Sequence, residues 1–410
     1  MMSSRTNLVR FATLGAVLAV VACETSRDVL GPVTPSGGDI FRSYVALGNS
    51  ISAGWQSGGI NDSTQRQSFA RLLATQMGTP YRYAALTLPG CPPPIDNFMT
   101  QTRVGGGMPV CSARALTSVT EVLNNVAVPD AQTWDPTSPG TTASNALTTI
   151  ILGGKTQVQR ALDAQPTFVS VWFGGNDVLQ AAYTGVLATT PGVSIGIRTT
   201  PAEFQANYDL LLSQLIGGNP DLKGVIIGVP KVSSLPLMTL GAIIAGSPVA
   251  QATIDAVAGK PVTIDANCTG STSLVTLPLL LPRIRAGILP AQISCLPGVD
   301  PLDPRVGNLF VHDPQEQATL NAVIDADNAY LEAKADAIGF AYWDPNPPLF
   351  AIRGTPQSLP FPNFGDATNP FGTAFSLDGV HPSAAGQRLI ANSLIAAINA
   401  KYGTTLQSVP

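Results

Sequence analysis

Residues 41–54 read FRSYVALGNSISAG. The first half is an apolar run centred on Tyr44–Leu47, the signature of a short buried strand. The chain then breaks at Gly48-Asn49 and sets a single hydroxyl, Ser50, where a helix can begin. A strand that ends in a glycine turn and delivers one serine to a helix start places that serine on a sheet edge. In open α/β sheets this is the edge that carries ligands.

Working outward, the same grammar recurs. Phe168–Phe173, Val225–Val229 and Phe340–Trp343 are further strand candidates, each bounded by Gly, Pro or a polar turn. Between them lie helical patterns. In 315–338 Leu320, Val323, Ile324, Leu331 and Ile338 fall on one side at helical spacing, and 384–400 repeats this with Leu389, Ile390, Leu394 and Ile398. Alternating strands and helices predict a mostly parallel sheet covered on both faces, a three-layer α/β/α sandwich. Two stretches break the rhythm. Residues 88–139, rich in Gly, Pro and Thr, read as long loops near the carboxyl ends of the strands. Residues 231–304, with the run LVTLPLLLPRIRAGILP, read as a loop-rich insertion, either a lid or acyl-binding surface or a segment that only packs on itself.

Composition narrows the function. The 410 residues are 45% hydrophobic and 12% charged, with a formal net charge of -4 and no cluster of Lys or Arg. That is enough apolar material for a full core, and it offers no electrostatic footprint for nucleic acid. Arg5 and Arg10 precede an apolar run, Phe11–Val21, that is shorter than the about 20 residues needed to span a bilayer, so the start reads as an export signal. Its end, Val20-Val21-Ala22-Cys23, resembles the lipobox of bacterial lipoproteins. That resemblance implies a signal peptide over 1–22, a lipid on Cys23, a Pro/Gly/Ser tether over 23–40 and anchoring in the bacterial cell envelope; Glu24 in place of Asp implies the outer membrane if enterobacterial sorting applies. Of five cysteines, four then remain to pair in an oxidising compartment. Of the three pairings available, the one closing short loops joins Cys91 to Cys111 and Cys268 to Cys295.

A serine hydroxyl needs a base to become a nucleophile, and the chain has two histidines. His312, in FVHDPQE, is followed directly by Asp313, and adjacent side chains diverge. His381, in SLDGVHPSAAG, has Asp378 three residues earlier, close enough to fold back in a tight turn and hold one ring nitrogen while the other acts as base; Pro382 then opens the first turn of the last helix. His381 is the candidate. Strand 168–173 ends in Gly174-Gly175-Asn176-Asp177, a tight turn whose amide can donate to an oxyanion, or whose Asn or Asp can simply cap a helix. GGND also faintly resembles a turn of dinuclear metallophosphatases, but two histidines are too few for such a centre.

In this order and spacing, GNSIS, GGND and DGVH resemble blocks I, III and V of the SGNH hydrolases, the GDSL-type lipases and esterases, over about residues 41–403. The resemblance implies a flavodoxin-related sandwich and a serine esterase or lipase needing neither metal nor organic cofactor. Ser50 would be the nucleophile, His381 the base, Asp378 its orienting acid, and Asn176 and the Ser50 N–H oxyanion donors, acting on a lipid or short-chain acyl ester. In the family's second block a glycine N–H completes the oxyanion hole. The matching stretch here, NVAVPDA over 125–131, puts Asp130 in that place. A second departure is Asn49, where the family carries aspartate. The charge introduced by Asp130 keeps open the alternative of an inactive lipoprotein of the same fold that binds lipid or glycan.

Overall fold

The computed structural model describes residues 38–98, 100–107, 122–138, 147–187, 196–296 and 310–410. Strands β1 (Tyr44–Gly48), β2 (Phe168–Trp172), β3 (Lys223–Ile227) and β4 (Ala341–Trp343) lie side by side in that order, all parallel. Tyr44 pairs with Phe168 and Gly48 with Trp172, so Ser50 and the GGND turn leave the same edge of the sheet. The extended segment 124–128 lies outside β1: the Ala46 N–H donates to the Asn124 carbonyl (2.7 Å), and the N–H groups of Val126 and Val128 donate to the carbonyls of Ala46 (3.0 Å) and Gly48 (3.1 Å). It ends at Ala131, on the edge where Ser50 emerges.

Seven helices position the site: α1 (Ser50–Ala53), α2 (Phe69–Met77), α3 (Gly175–Thr184), α4 (Pro201–Gly218), α5 (Pro314–Ile338), α6 (Asn346–Ile352) and α7 (Ala384–Tyr402). The pleat sends Tyr44, Ala46, Phe168, Trp172, Val225 and Ile227 to one face, where they meet Phe69 and Leu73 of α2 and Leu394 and Ile398 of α7. Val45, Leu47, Val169, Val171 and Ile226 go to the other, against Tyr208 and Leu212 of α4 and Ile324 and Leu331 of α5. Each fully buried Val, Leu, Ile or Phe among them contributes about 1.5–3 kcal/mol of hydrophobic free energy. Burial on both faces is what unbroken apolar strands require, and it gives the α/β/α layering that the alternation predicts.

The segment read as a loop-rich insertion is more regular than its prolines and glycines suggest. It carries helices at Gly241–Gly246, Pro248–Ala258 and Leu277–Arg285, and two strands, Thr239–Leu240 and Leu274–Val275, of a small antiparallel sheet that Val311–His312 completes from beyond the segment. Pro248 and Pro278 sit in first turns, where proline starts rather than breaks a helix. Leu277, Leu280, Leu281 and Ile284 are buried in this unit, so the helical part of its apolar run packs inward, while Ile288 beyond it is exposed. Cys268 and Cys295 are joined by the expected disulfide. Cys111 lies outside the described residues, and so does its expected pairing with Cys91. Residues 1–37, with the expected signal, Cys23 and most of the tether, lie outside them as well. Among the described residues no helix is long and apolar enough to cross a membrane.

Candidate active site

α1 is a single turn, and a helix that short leaves most of its backbone groups without helical partners. Buried side-chain amides from distant elements supply them. Asn49 caps the start, its Oδ1 accepting from the Ile51 N–H at 3.2 Å. Gln387 of α7 donates to the Ile51 carbonyl (3.2 Å) and Asn125 to that of Ser52 (2.9 Å). Gln157 pairs with both backbone groups of Gly48, each at 3.1 Å, as a neighbouring strand would. Gly48 has to be glycine, since a Cβ there would stand 2.4 Å from Ser52 Oγ. Asn49, where the family carries aspartate, thus retains the capping function. Ser50 is held by a rigid turn.

The structure brings Ser50, His381 and Asp378 together. Ser50 Oγ lies 2.8 Å from His381 Nε2, and His381 Nδ1 lies 2.8 Å from Asp378 Oδ2. Asp378 accepts from five donors. Oδ2 takes the Gly58 N–H (2.8 Å) as well as the ring, while Oδ1 takes the N–H of His381 (2.8 Å), the N–H of Val380 (3.0 Å) and Ser376 Oγ (3.2 Å). Burial alone would raise its pKa, but the His381 charge and these hydrogen bonds win and bring it down to about 2. The acid is therefore ionised at any working pH. The loop after α1 is locked to this turn from both sides: the Ser57 N–H donates to Ser376 Oγ (2.8 Å) and the Leu377 N–H to Ser57 Oγ (3.2 Å). The Trp55 ring stands 6.2 Å from the imidazole. One local expectation is corrected. Pro382 precedes α7 and does not begin it, because Ser383 is the cap, its Oγ accepting from the Gly386 N–H at 3.2 Å.

The GGND turn opens α3. Gly174 has φ +100, and a Cβ there would meet Val229 and Phe204 at under 3 Å. Asn176 donates through Nδ2 to the Ala131 carbonyl at 3.0 Å, leaving its second N–H outside that bond, and it lines one pocket with Ser50 and His381. Asp130 occupies a left-handed conformation, φ +64, at the end of 124–131. This is the geometry in which glycine is the unstrained residue. Asp130 itself is exposed and does not line that pocket. Desolvation raises its carboxyl pKa and the Arg198 charge pulls it back.

Reasoning from sequence missed Asp177. It is buried and ties α3 to the second-block loop, accepting from Thr133 Oγ1 (2.7 Å), the Thr133 N–H (3.2 Å) and Thr199 Oγ1 (3.0 Å). Burial raises it to about 6 against those bonds; burial, then the Asp177 charge, raises Asp327 of α5 to about 7. Both groups lie above their ordinary 3.8, so between about pH 4 and 7 the folded chain holds more protons than the unfolded chain and loses stability as pH rises. His312, lowered by its burial, acts in the opposite sense below 6.5, so the variant-to-wild-type difference isolates the carboxylate. Asp327→Asn is expected to leave Tm near wild type at pH 4 and to raise it by several degrees at pH 8, read by thermal melts across that range. A constant difference at every pH would contradict this. His312 itself is buried on the small sheet, away from Ser50, as its sequence context implies.

A parallel α/β sheet that presents a serine, a histidine and an aspartate in hydrogen-bonded series is an arrangement suited to acyl transfer through the serine. The family model described as GDSL-like lipase/acylhydrolase matches residues 44–394, and the chain belongs to that family of acyl hydrolases. Among solved structures it is similar to an extracellular lipase from Streptomyces rimosus, at 17% identity over 88% of this chain and 99% of that one, with a TM-score of 0.34. It is also similar to phospholipase A1 from Streptomyces albidoflavus (15% identity, 88% and 98% covered, TM-score 0.35). A third is an active-site mutant of a family two carbohydrate esterase from Clostridium thermocellum (12% identity, 91% and 66% covered, TM-score 0.36). Comparison with curated proteins returns no match.

Proposed function

We propose that the protein hydrolyses carboxylic esters through an acyl-enzyme on Ser50. The observation that carries this is the unbroken chain from Ser50 Oγ through His381 to Asp378, with both links at 2.8 Å. His381 Nε2 takes the hydroxyl proton as Oγ bonds to the ester carbonyl carbon, then gives it to the departing alkoxide as the carbon–oxygen bond breaks. Water, deprotonated by the same nitrogen, releases the acid and restores Ser50. Asn176, the Ser50 N–H and the Asp130 N–H are the proposed oxyanion donors. Mixing the protein rapidly with a p-nitrophenyl ester is expected to give a burst of one p-nitrophenol per chain before the slower steady state. Linear release that survives replacement of Ser50 would contradict the acyl-enzyme.

Asp130 supplies a sharper test of the oxyanion assignment. Asp130→Gly is expected to relieve left-handed strain of about 1 kcal/mol and, if the Asp130 N–H is an oxyanion donor, to raise kcat a few-fold by removing a carboxylate from the residue that supplies that donor. The rise is limited because Arg198 already offsets that charge. Thermal melts and steady-state kinetics check both halves; a fall in kcat would place Asp130 in a supporting role instead. We further propose that the mature chain is tethered by lipid at Cys23 in the cell envelope, a reading supported by the lipobox and the short Pro/Gly/Ser stretch after it. Metabolic labelling with a fatty acid, lost in Cys23→Ser, tests it.

A further inference from the structure

From Ser50 and His381 a pocket of about 200 Å³ runs over the sheet edge between α6 and α7. Along α7 its wall is formed by Gly386, Leu389, Ile390 and Ser393, spaced i, i+3, i+4, i+7 and hence one straight stripe about 10 Å long. This stripe is distinct from Ala391, Leu394, Ile395 and Ile398, which fill the core. Opposite it, α6 presents Pro348, Leu349 and Ile352. Trp172 and Trp343, the last residues of β2 and β4, form the floor, their rings 6.2 Å apart. Away from the catalytic mouth, Ser393 is the one polar side chain on the α7 stripe, and its hydroxyl donates to the Leu389 carbonyl of its own helix at 3.0 Å.

We infer that this groove binds the acyl chain of the ester and selects a medium-length, unbranched fatty acyl group over acetyl. The inference rests on Ser50 as the nucleophile, since it places the acyl carbon at the groove's mouth. Walls of leucine, isoleucine and proline reward hydrocarbon, and beyond the catalytic mouth the α7 and α6 walls offer a sugar one polar side chain, Ser393, whose hydroxyl already bonds its own helix. An apolar cavity of about 150 Å³ accepts benzene, with its six carbons, so this groove has room for about eight. Each methylene it buries is worth about fourfold in transition-state binding. Leu389, which lines the groove on α7, is also exposed, so the apolar character of that wall extends to its rim.

The test is a series of p-nitrophenyl esters from acetyl to dodecanoyl, with octyl acetate as the converse, at concentrations where the esters are monomeric. With six added methylenes at about fourfold each, kcat/KM is expected to rise about 10³- to 10⁴-fold from acetyl to octanoyl and then level off. Octyl acetate is expected to gain far less over ethyl acetate. Ser393→Trp, which puts an indole at the far end, is expected to lower the octanoyl-to-acetyl ratio at least about tenfold, the worth of two methylenes. A wild-type profile that is flat or falls with chain length while Ser50 remains essential would overturn the acyl groove and leave the serine mechanism standing. The same holds if octyl acetate gains as much as octanoyl. Should no ester be turned over and Ser50 never be acylated, the underlying mechanism fails and the groove assignment with it. The wild-type series decides the matter even if the tryptophan variant does not fold.

Discussion

Ser50→Ala is expected to lower kcat on a short-chain p-nitrophenyl ester by about 10⁴- to 10⁶-fold while leaving the melting temperature close to wild type. The two halves follow from one environment. Ser50 Oγ bonds to His381 Nε2, and α1 is fixed by the amides of Asn49, Asn125 and Gln387, none of which binds the hydroxyl. Removing one oxygen therefore abolishes covalent catalysis and leaves the turn's supports in place. Residual hydrolysis above the background in water would come from the oxyanion donors and the groove. If activity persisted within tenfold of wild type, the nucleophile would lie elsewhere.

Asp378→Asn is expected to cost about 10⁴-fold in kcat, more than its isosteric change suggests. Every partner of the Asp378 carboxylate is a donor: two N–H groups converge on Oδ2, and two further N–H groups and a hydroxyl on Oδ1. An asparagine amide must aim its own NH₂ at one of these clusters. Facing Gly58 and the imidazole, it forces Nδ1 to become the acceptor and moves the ring proton to Nε2, which then points at Ser50 and cannot accept its proton. Turned the other way, it clashes with the donors of the 376–381 turn. Steady-state kinetics on Asp378→Asn and Asp378→Ala, with thermal melts beside them, separate the tautomer effect from loss of the turn. A loss of less than about tenfold in both would mean that the acid has no part in catalysis.

The sheet was legible because its strands are short, largely apolar runs bounded by Gly, Pro or a polar turn, and the observed strands fall within two residues of those runs. α5 and α7 carry long helical stripes, and both are present at the expected places. The triad was legible because Asp378 and His381 are neighbours in sequence and the scarcity of histidine left one partner for Ser50. Asp130 stood out in sequence against the family resemblance, and its φ of +64 is a conformation in which glycine is unstrained. What stayed hidden depends on distant pairings. Gln157 holding Gly48, Gln387 holding α1 and Gly58 holding Asp378 join residues more than a hundred positions apart, and an isolated glutamine or glycine carries no periodic signal. The groove was missed for a related reason. The apolar run of 277–290 drew attention to the insertion, whereas the walls come from α6 and from a face of α7 beside its core residues.

The most direct test of the central claim is intact-mass measurement after treatment of the folded chain with a fluorophosphonate. One adduct per chain on the wild type, absent in Ser50→Ala and formed far more slowly in His381→Ala, is the predicted result. A folded wild type that takes up no adduct, or a Ser50→Ala protein labelled as readily as wild type, would contradict it; the first would leave a non-catalytic lipid- or glycan-binding protein as the better account.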